Sequence, residues 1–265
     1  MEKYEFIMVE KKEPVLTLTL NRPKKMNAIS LKTWDEINDV YENIKQDRSI
    51  RYVIFTGTGE HFSAGDDIKI IIEKFQSAKD YDEVRYHQYR SHDIKNKILN
   101  MEQITIAAIK GYCLGAGLGL AILCDFRVAT PSVKFGIPET RVGLFYTWGL
   151  THHMNRLVGP AVTKDMIMTS RIVEAEEGLR VGLIGHLVPE EKLMDKVYEL
   201  IELMEGNGPN AIRLTKKLVN ASTAPEIGNL MVMEPDFVQY QYLSGEADEG
   251  IGAFVEKRKP KWHTK

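Results

Sequence analysis

The sequence predicts an α/β fold with a helical C-terminal third, and three observations carry this prediction. Two β-rich runs, "VLTLTL" (15–20) and "RYVIFTG" (51–57), enclose a helical pattern, which makes a βαβ unit. A third β-rich run, "ITIAAIKG" (104–111), leads through a glycine-rich turn into an apolar helix. From about residue 148 onward the patterns are helical.

Each element predicted in the N-terminal half follows from a local feature of the sequence. "VLTLTL" alternates Leu and Thr as a half-buried strand does. Ser30 is a good N-cap for a helix whose apolar positions recur at helical spacing: Leu31, Trp34, Ile37, Tyr41 and Ile44. Residues 70–92 are charged and poorly periodic, and we expect a mobile, helix-leaning segment that covers a site. "DIKNKILNM" is typical of a helix.

The second half begins with "FRVATPSVKFGIPE", which predicts two short strands around Pro131. Helices are predicted at about 148–157, 161–169, 174–181, 190–206, 208–221 and 225–244, with a last one starting near 247. We divide the chain into a core of residues 1–200 and a C-terminal helical region of residues 201–265.

Composition excludes several classes of protein. The chain has 265 residues, of which 43% are hydrophobic and 27% charged, as in a globular protein. No apolar run approaches the roughly 20 residues of a membrane span, and the charged N-terminus lacks a secretory core, so we expect a cytoplasmic protein without a membrane partner. A net charge of −2 disfavours nucleic acid. Cys113 and Cys124 are expected to be buried free thiols, and no metal site is predicted, including at His152 and His153.

Two glycine loops, "FSAGDDI" and "YCLGAGLGL", each follow a strand and open a helix. Such turns point backbone N–H groups out of a helix N-terminus, where negative charge is favoured. Either loop alone is explained by tight helix–strand packing. Together they would form an oxyanion hole for an enolate or a tetrahedral intermediate. Neither fits a phosphate loop or a dinucleotide fingerprint. Glu139 is the one obvious carboxylate beside the second loop.

Five ordered motifs together resemble the crotonase superfamily, the enoyl-CoA hydratase/isomerase family. They are "LNRPKKMNAIS", "HFSAGDDIK", "IKGYCLGAGLGLAILCDFRVA", "FGIPETRVGL" and "AFVEKRKPKW", and the resemblance covers residues 5 to 262. It implies a crotonase-like spiral of repeated ββα units with a helical C-terminal region used for trimerisation. It also implies a CoA-thioester substrate, no cofactor besides the coenzyme A of that substrate, and a homotrimer or homohexamer.

The resemblance assigns roles to individual positions. It puts the two oxyanion N–H groups on Asp66 and Ala116, and Gly115 next to the latter is counted with the substrate-binding positions. Main-chain contacts to CoA fall on Lys24, Lys25 and Met26, with Ala64 close to the thioester arm. Lys69 is a candidate for the nucleotide phosphates. Phe254 and Lys257 match C-terminal positions that reach CoA, commonly from a neighbouring subunit. The alternative for Lys24, Lys25 and Lys257 is a solvated surface charge.

Glu139 matches the second of the two glutamates of the family's hydratases, and the first falls on Gly119. Because Gly119 has no side chain, the usual two-carboxylate hydration cannot run unchanged. A single carboxylate suffices for a 1,3 proton shift, so we narrowly favour double-bond isomerisation with Glu139 as the acid/base. Apolar neighbours would raise the pKa of Glu139 for this task. The alternative is an ion pair between Glu139 and Arg141.

At two further positions, 66 and 146, the sequence differs from the usual family pattern, and these differences leave other functions open. Asp66 stands where the family has a small residue, and where its decarboxylase branch has histidine. We expect it to turn away, to be protonated or to act as an acid. Tyr146 lies near the tyrosine of that branch, and with Trp148 it would narrow the pocket for a short or cyclic acyl group. Hydration with a second group from residues 70–92, such as Glu73, Asp80 or Tyr81, stays open. So do decarboxylation, hydrolysis and a non-catalytic binding protein.

Overall fold

The computed structural model describes residues 4–69, 81–147, 149–222, 237, 243 and 245–261. Its main sheet has six strands in the order β1-β2-β3-β4-β6-β9. The first pair is antiparallel and the other pairs are parallel. The strands are β1 (Ile7–Lys12), β2 (Val15–Leu20), β3 (Tyr52–Gly57), β4 (Ile104–Ile109), β6 (Phe126–Ala129) and β9 (His186–Leu187).

A second sheet of three short strands lies at the end of the first. It consists of β5 (Tyr112–Leu114), β7 (Lys134–Gly136) and β8 (Val173–Glu174), in the order β5-β7-β8. Sequence patterns predicted β2, β3, β4, β6 and β7 but not β1, β5, β8 or β9. The last three have only two or three residues, too few for an alternating pattern.

The helices follow the predicted order closely. They are α1 (Leu31–Ile44), α2 (Tyr81–Asn100), α3 (Gly115–Leu123), α4 (Leu150–Thr169), α5 (Ala175–Arg180), α6 (Leu193–Glu205), α7 (Pro209–Ser222) and α8 (Glu246–Val255). The two helices predicted at 148–157 and 161–169 form one element, α4, which is kinked at Gly159 before Pro160. Most of the helix predicted at 225–244 lies outside the described residues.

Helix α1 begins where the sequence indicates. The Ser30 side chain accepts a hydrogen bond from Thr33 N–H, and Thr33 Oγ1 accepts one from Ser30 N–H, which is a capping box. The buried face then carries Trp34, Ile37 and Ile44 at helical spacing.

The main sheet is covered on both faces. All six residues of β4 are buried, as expected for a central parallel strand. On one face Ala107 and Ile109 join the large core beneath α1, α2 and α3. On the other face Ile104 and Ile106 pack in a second cluster with residues of α6. The loops that follow the carboxyl ends of β3 and β4 therefore lie on a rigid base.

Helix α7 is anchored to the core by a buried cation. Lys216 Nζ lies 2.8 Å from Asp125 Oδ2 and 2.8 Å from the carbonyl oxygen of Gln103. The same carboxylate oxygen accepts hydrogen bonds from the backbone N–H and the hydroxyl of Thr105, which ties α7 to β4. Both charges are well shielded, because the side chains of Lys216 and Asp125 are 6% and 16% exposed.

The division of the chain at residue 200 stays a prediction. Helix α6 runs through that point, so a boundary would fall at one of its ends. Among the described helices none is both long enough and apolar enough to cross a membrane. The predicted burial of both cysteines is confirmed, since Cys113 and Cys124 are free and buried.

The Lys216→Met substitution is expected to lower the free energy of unfolding by about 3 kcal/mol, because it leaves the Asp125 charge buried without its cation. Lys217→Met is the matched control. That lysine pairs with Glu102 at the surface, so its loss should cost less than about 1 kcal/mol. Urea unfolding of the two variants measures the difference, and equal stabilities would contradict the anchoring role of Lys216.

Candidate active site

The first glycine loop is held by the segment that precedes α1. Asn27 is buried and has a left-handed backbone with φ of 54°. Its side-chain amide donates to the carbonyl oxygens of Thr58 (2.9 Å) and His61 (2.7 Å), and its Oδ1 accepts from Arg22 N–H (2.9 Å). One side chain thus closes the turn after β3, where an asparagine tolerates the strained backbone best after glycine.

Backbone pairing leaves one N–H of this loop available. Ile29 N–H donates to Gly65 O, and Asp67 N–H donates to Ile29 O, both at 2.8 Å. These two bonds flank Asp66, and no acceptor within the described part of the chain bonds its N–H. Ser63 supports the bend, because its hydroxyl donates to Asn27 O (2.8 Å) and accepts from Gly65 N–H (3.2 Å).

The second loop supplies another such N–H. Ala116 is the second residue of α3, where a helix offers no internal acceptor to an N–H group. The two loops are joined directly, since Leu114 N–H donates to Ser63 O at 2.9 Å. The structure therefore brings Asp66 and Ala116 onto adjoining loops. Their role as an oxyanion hole stays a prediction.

Glycines allow this close approach. A Cβ atom at Gly65 would lie 3.1 Å from the Leu114 carbonyl oxygen, and one at Gly117 would lie 2.6 Å from Ser63 Cβ. Gly65 also has a φ of 97°, which side chains rarely allow. Both loops thus need glycine at their points of contact.

Glu139 lies against the second loop. It sits in a 3-10 helix (Pro138–Val142), and its Oε1 is 2.7 Å from the point where a Cβ of Gly115 would be. Its Oε2 is buried and has no hydrogen-bond partner among the described residues. The expected alternative, an ion pair with Arg141, is not formed, because Arg141 Nη2 donates to Ser170 O at 2.7 Å.

The environment of Glu139 keeps it protonated at neutral pH. Burial raises its pKa to about 8, and the neighbouring charge of Asp66 acts in the same direction. A hydrogen bond from its own backbone N–H opposes both effects. A carboxyl group that titrates near neutrality is suited to giving and taking a proton.

Asp66 interacts electrostatically with this site, and the expectation that its side chain turns away stays a prediction. Its charge raises the pKa of both Glu139 and Tyr146. Burial raises the pKa of Asp66 itself to about 7, and the positive charge of Lys95 works against this rise. The neighbouring Asp67 has a different task, since its Oδ2 lies 2.8 Å from Nη2 of Arg22. Among the described residues, Asp66 is thus a second carboxyl group that acts on Glu139, although only Glu139 was obvious from the sequence.

Gly119 has no room for a side chain. A Cβ atom there would lie 2.5 Å from Leu150 Cδ1 and 3.3 Å from the Tyr146 hydroxyl. Leu150 and Tyr146 are both fully buried. The Tyr146 hydroxyl donates to Gly115 O at 3.2 Å, and burial holds its pKa well above the usual range. The space beside Gly119 is therefore occupied by an apolar methyl group and a neutral phenol.

The candidate CoA contacts are spread over the surface of the site. Lys24, Lys25 and Met26 form an exposed 3-10 turn with its left-handed cap, and Ala64 N–H donates to Met26 O at 2.9 Å. Lys69 is exposed after the first loop. On α8 and just beyond it, Phe254 and Lys257 are exposed.

Some predicted groups cannot be placed. Trp148, Glu73, Asp80 and the side chain of Tyr81 lie outside the described residues. In the described part, no group of three or more His, Cys, Asp or Glu side chains is arranged to hold a metal ion.

Sequence reasoning missed several residues that build the site. Lys95 and Leu150 belong to no motif, and Ser63 stands in the first loop motif without having been identified as a site residue. Lys95 gave one usable signal, since it falls between Ile94 and Ile98 on the apolar side of a helix. Asn27 was identified only as a turn residue.

Comparisons with known proteins agree with this geometry. The family model for enoyl-CoA hydratase/isomerase matches residues 10–265. The chain belongs to the enoyl-CoA hydratase/isomerase family. It is 35% identical to a crotonyl-CoA hydratase of Syntrophomonas wolfei over 99% of both chains. It is 32% identical to a short-chain-enoyl-CoA hydratase of Clostridium acetobutylicum, over 96% of this chain and 95% of the relative.

Solved structures extend the same result to the fold. An enoyl-CoA hydratase/isomerase from Pseudoalteromonas atlantica superposes with a TM-score of 0.85 at 27% identity, covering 98% of this chain and 100% of that one. The predicted crotonase fold is thus confirmed. As a member of the enoyl-CoA hydratase/isomerase family, the protein is an enzyme that processes acyl-CoA thioesters. The oligomeric state stays a prediction.

The Glu139→Gln substitution is expected to stabilise the protein at alkaline pH. Between the ordinary pKa of 4.5 and about 8, native Glu139 retains a proton that the unfolded chain has released, so this residue lowers stability as pH rises. At pH 8 the variant should be more stable by about 4 kcal/mol, and below pH 4 the difference should vanish. Denaturant titrations from pH 4 to 8 test this, with the exposed Glu190→Gln as control. If the stability difference between variant and wild type is the same at every pH, the pKa of Glu139 is not raised in the folded protein.

The Gly119→Ala substitution is expected to cost about 1–3 kcal/mol, since the new methyl group collides with Leu150. In a Leu150→Ala background the same change should be neutral or favourable, because alanine is a better helix former than glycine. Thermal unfolding of the four proteins of this double-mutant cycle measures the coupling. Additive effects would mean that Leu150 does not fill the space beside Gly119.

Proposed function

We propose that this enzyme adds water reversibly to the double bond of a short-chain 2-enoyl-CoA thioester. The observation that carries the proposal is the pair of carboxyl groups, Glu139 and Asp66, with pKa values of about 8 and about 7. The N–H groups of Asp66 and Ala116, for which the described residues provide no acceptor, lie on the two adjoining glycine loops and support the same proposal. The names of the two relatives, crotonyl-CoA hydratase and short-chain-enoyl-CoA hydratase, support the same reaction.

The chemistry needs one base and one acid. Ionised Asp66 takes a proton from water, whose oxygen forms the new bond to C3 while the C2–C3 π bond breaks. The electron pair moves to the thioester oxygen, where the N–H groups of Asp66 and Ala116 stabilise the enolate. Protonated Glu139 then delivers its proton to C2. The product is a 3-hydroxyacyl-CoA, and transfer of a proton from Asp66 to Glu139 through solvent resets the pair.

One observation favours isomerisation as a second candidate. The space beside Gly119 is filled by Leu150, so the second carboxylate of the usual hydratase scheme is absent from that position. Glu139 alone would then shift a proton along a 3-enoyl-CoA, and Asp66 would take no proton. The two candidates differ in their need for the Asp66 carboxylate.

Mass spectrometry of crotonyl-CoA and but-3-enoyl-CoA in D₂O separates these candidates. We expect wild-type enzyme to convert crotonyl-CoA into a product that is heavier by one water and carries one deuterium on C2. Asp66→Asn and Glu139→Gln should each lower the hydration rate by roughly 100-fold or more, as loss of a general acid or base does. Glu190→Gln is the control for a surface carboxylate.

Other outcomes would change the proposed reaction or the roles of Asp66 and Glu139. If Asp66→Asn keeps full activity and but-3-enoyl-CoA is converted to crotonyl-CoA without added water, isomerisation through Glu139 is correct. If hydration survives Glu139→Gln, the proton delivered to C2 does not come from Glu139. A rate that rises with acyl chain length would contradict the short-chain substrate.

A further inference from the structure

The peptide group that carries the Ala116 N–H also has a buried partner on its other side. Gly115 and Ala116 share one trans peptide bond, and its carbonyl oxygen accepts a hydrogen bond from the Tyr146 hydroxyl at 3.2 Å. A trans peptide is planar, so its C=O and N–H point in opposite directions. The Ala116 N–H therefore points out of the N-terminus of α3, while Tyr146, which is 1% exposed, contacts the same peptide group from inside the protein.

Gly119 leaves the space that this phenol occupies. A Cβ atom at position 119 would lie 3.3 Å from the Tyr146 hydroxyl oxygen and 2.5 Å from Leu150 Cδ1. A longer side chain there, such as that of a glutamate, would have to displace Leu150 or the phenol, because a packed interior has no spare volume. The absence of a side chain at Gly119 thus permits the hydrogen bond between Tyr146 and Gly115 O.

The phenol is held in place by its own segment. The backbone oxygen of Tyr146 accepts a hydrogen bond from the hydroxyl of Thr151, the second residue of α4. Earlier in the same segment, Leu144 N–H donates to Glu139 O at 3.0 Å. Burial holds the pKa of the Tyr146 phenol well above its usual range, so the hydroxyl keeps its proton and stays a donor. Residues 139–146 therefore bring both the Glu139 carboxyl and the Tyr146 hydroxyl to Gly115.

A hydrogen bond to a carbonyl oxygen makes the N–H of the same peptide a stronger donor, since linked hydrogen bonds polarise one another in a protein interior. It also restricts rotation of the peptide, which matters at Gly115 because a glycine with φ of 46° has a permissive backbone. We propose that Tyr146 is a positioning residue that orients and polarises the Gly115–Ala116 peptide, so that the Ala116 N–H stabilises the enolate oxygen. This assignment rests on the proposed function, in which the thioester oxygen gains negative charge.

Tyr146 touches no reacting atom in this scheme, so its loss acts through Ala116. Removing an oxyanion donor outright lowers kcat by roughly 100- to 1000-fold. Tyr146→Phe keeps the donor and loses only a supporting hydrogen bond of 3.2 Å, which is long for a hydroxyl donor. We expect kcat for crotonyl-CoA hydration to fall about tenfold and KM to change by less than about twofold, because the enolate charge develops only towards the transition state.

The peptide group is observed directly by NMR with two labelled amino acids. Glycine labelled with ¹³C at the carbonyl and alanine labelled with ¹⁵N mark only two peptide bonds in the sequence, Gly115–Ala116 and Gly252–Ala253. The second lies inside α8 and is the internal reference. In the ligand-free protein, Tyr146→Phe should move the Gly115 ¹³C and Ala116 ¹⁵N resonances upfield, because the carbonyl loses a donor, and leave the reference pair in place.

Tyr52→Phe is the matched control. Tyr52 is also buried and its hydroxyl is hydrogen-bonded to Glu205, but it lies at the start of β3, at the opposite end of that strand from the first glycine loop. Thermal melts of both variants identify a folding defect. If Tyr146→Phe fails to fold, replacement of Tyr146 by 3-fluorotyrosine carries the comparison. Its phenol is a stronger donor, so the two resonances should move downfield and kcat should rise.

We expect the resonances and kcat to change together in Tyr146→Phe and neither to change in Tyr52→Phe. Resonances that stay in place overturn the assignment, whatever reaction the enzyme runs. Shifted resonances with an unchanged kcat also overturn it, as does a loss that appears in KM alone. If the enzyme isomerises but-3-enoyl-CoA and adds no water, the proposed hydration is wrong. An equal loss of isomerisation in Tyr146→Phe would still support the role of Tyr146, since that reaction also places charge on the thioester oxygen.

Discussion

The contact between the two glycine loops determines the rest of the site. Leu114 N–H bonds Ser63 O, Gly65 lies against the Leu114 carbonyl, and Gly117 lies against Ser63. The first loop follows β3, and the second is reached from β4 through the short strand β5; β3 and β4 are parallel neighbours, so their carboxyl ends lie at one edge of the sheet. Because the backbones touch, the loops cannot separate without breaking hydrogen bonds that are buried. The N–H groups of Asp66 and Ala116, which no acceptor in the described part of the chain bonds, are therefore held in place before any ligand arrives, as electrostatic preorganisation requires.

The same packing accounts for the raised pKa values of Glu139 and Asp66. Glu139 Oε1 lies against Gly115, in a space that exists only because Gly115 has no side chain. Water is excluded there, so the charged form of Glu139 is penalised and its pKa rises. Burial raises the pKa of Asp66 as well, and the charge of Asp66 makes ionisation of Glu139 harder. Two acids that cannot easily be charged together divide into one proton donor and one proton acceptor.

The sequence predicted the long secondary-structure elements and the fold better than the residues that build the active site. Long elements such as α1 and β4 have clear periodicity, and Ser30 marked a helix start that is confirmed. The family and the crotonase fold followed from ordered motifs and are confirmed. Short strands such as β5 and β8 exist through pairing with distant residues, and no local pattern encodes them. The same holds for Leu150, which meets Gly119 only after α3 and α4 have packed together.

Asp66 shows why the residues of a motif do not by themselves reveal whether one of them is charged in the folded protein. An aspartate next to a glycine turn is ordinarily a solvated cap, and the sequence alone favours that interpretation. Its pKa here depends first on burial and then on the positive charge of Lys95, and its loop is held by hydrogen bonds to Ile29, so the environment of Asp66 exists only in the folded protein. Leu150 fills the space beside Gly119, whereas the charge of Asp66 acts on Glu139 from another loop. The acidity of Glu139 is thus a property of packing, because it depends on burial and on a residue that is distant in the sequence.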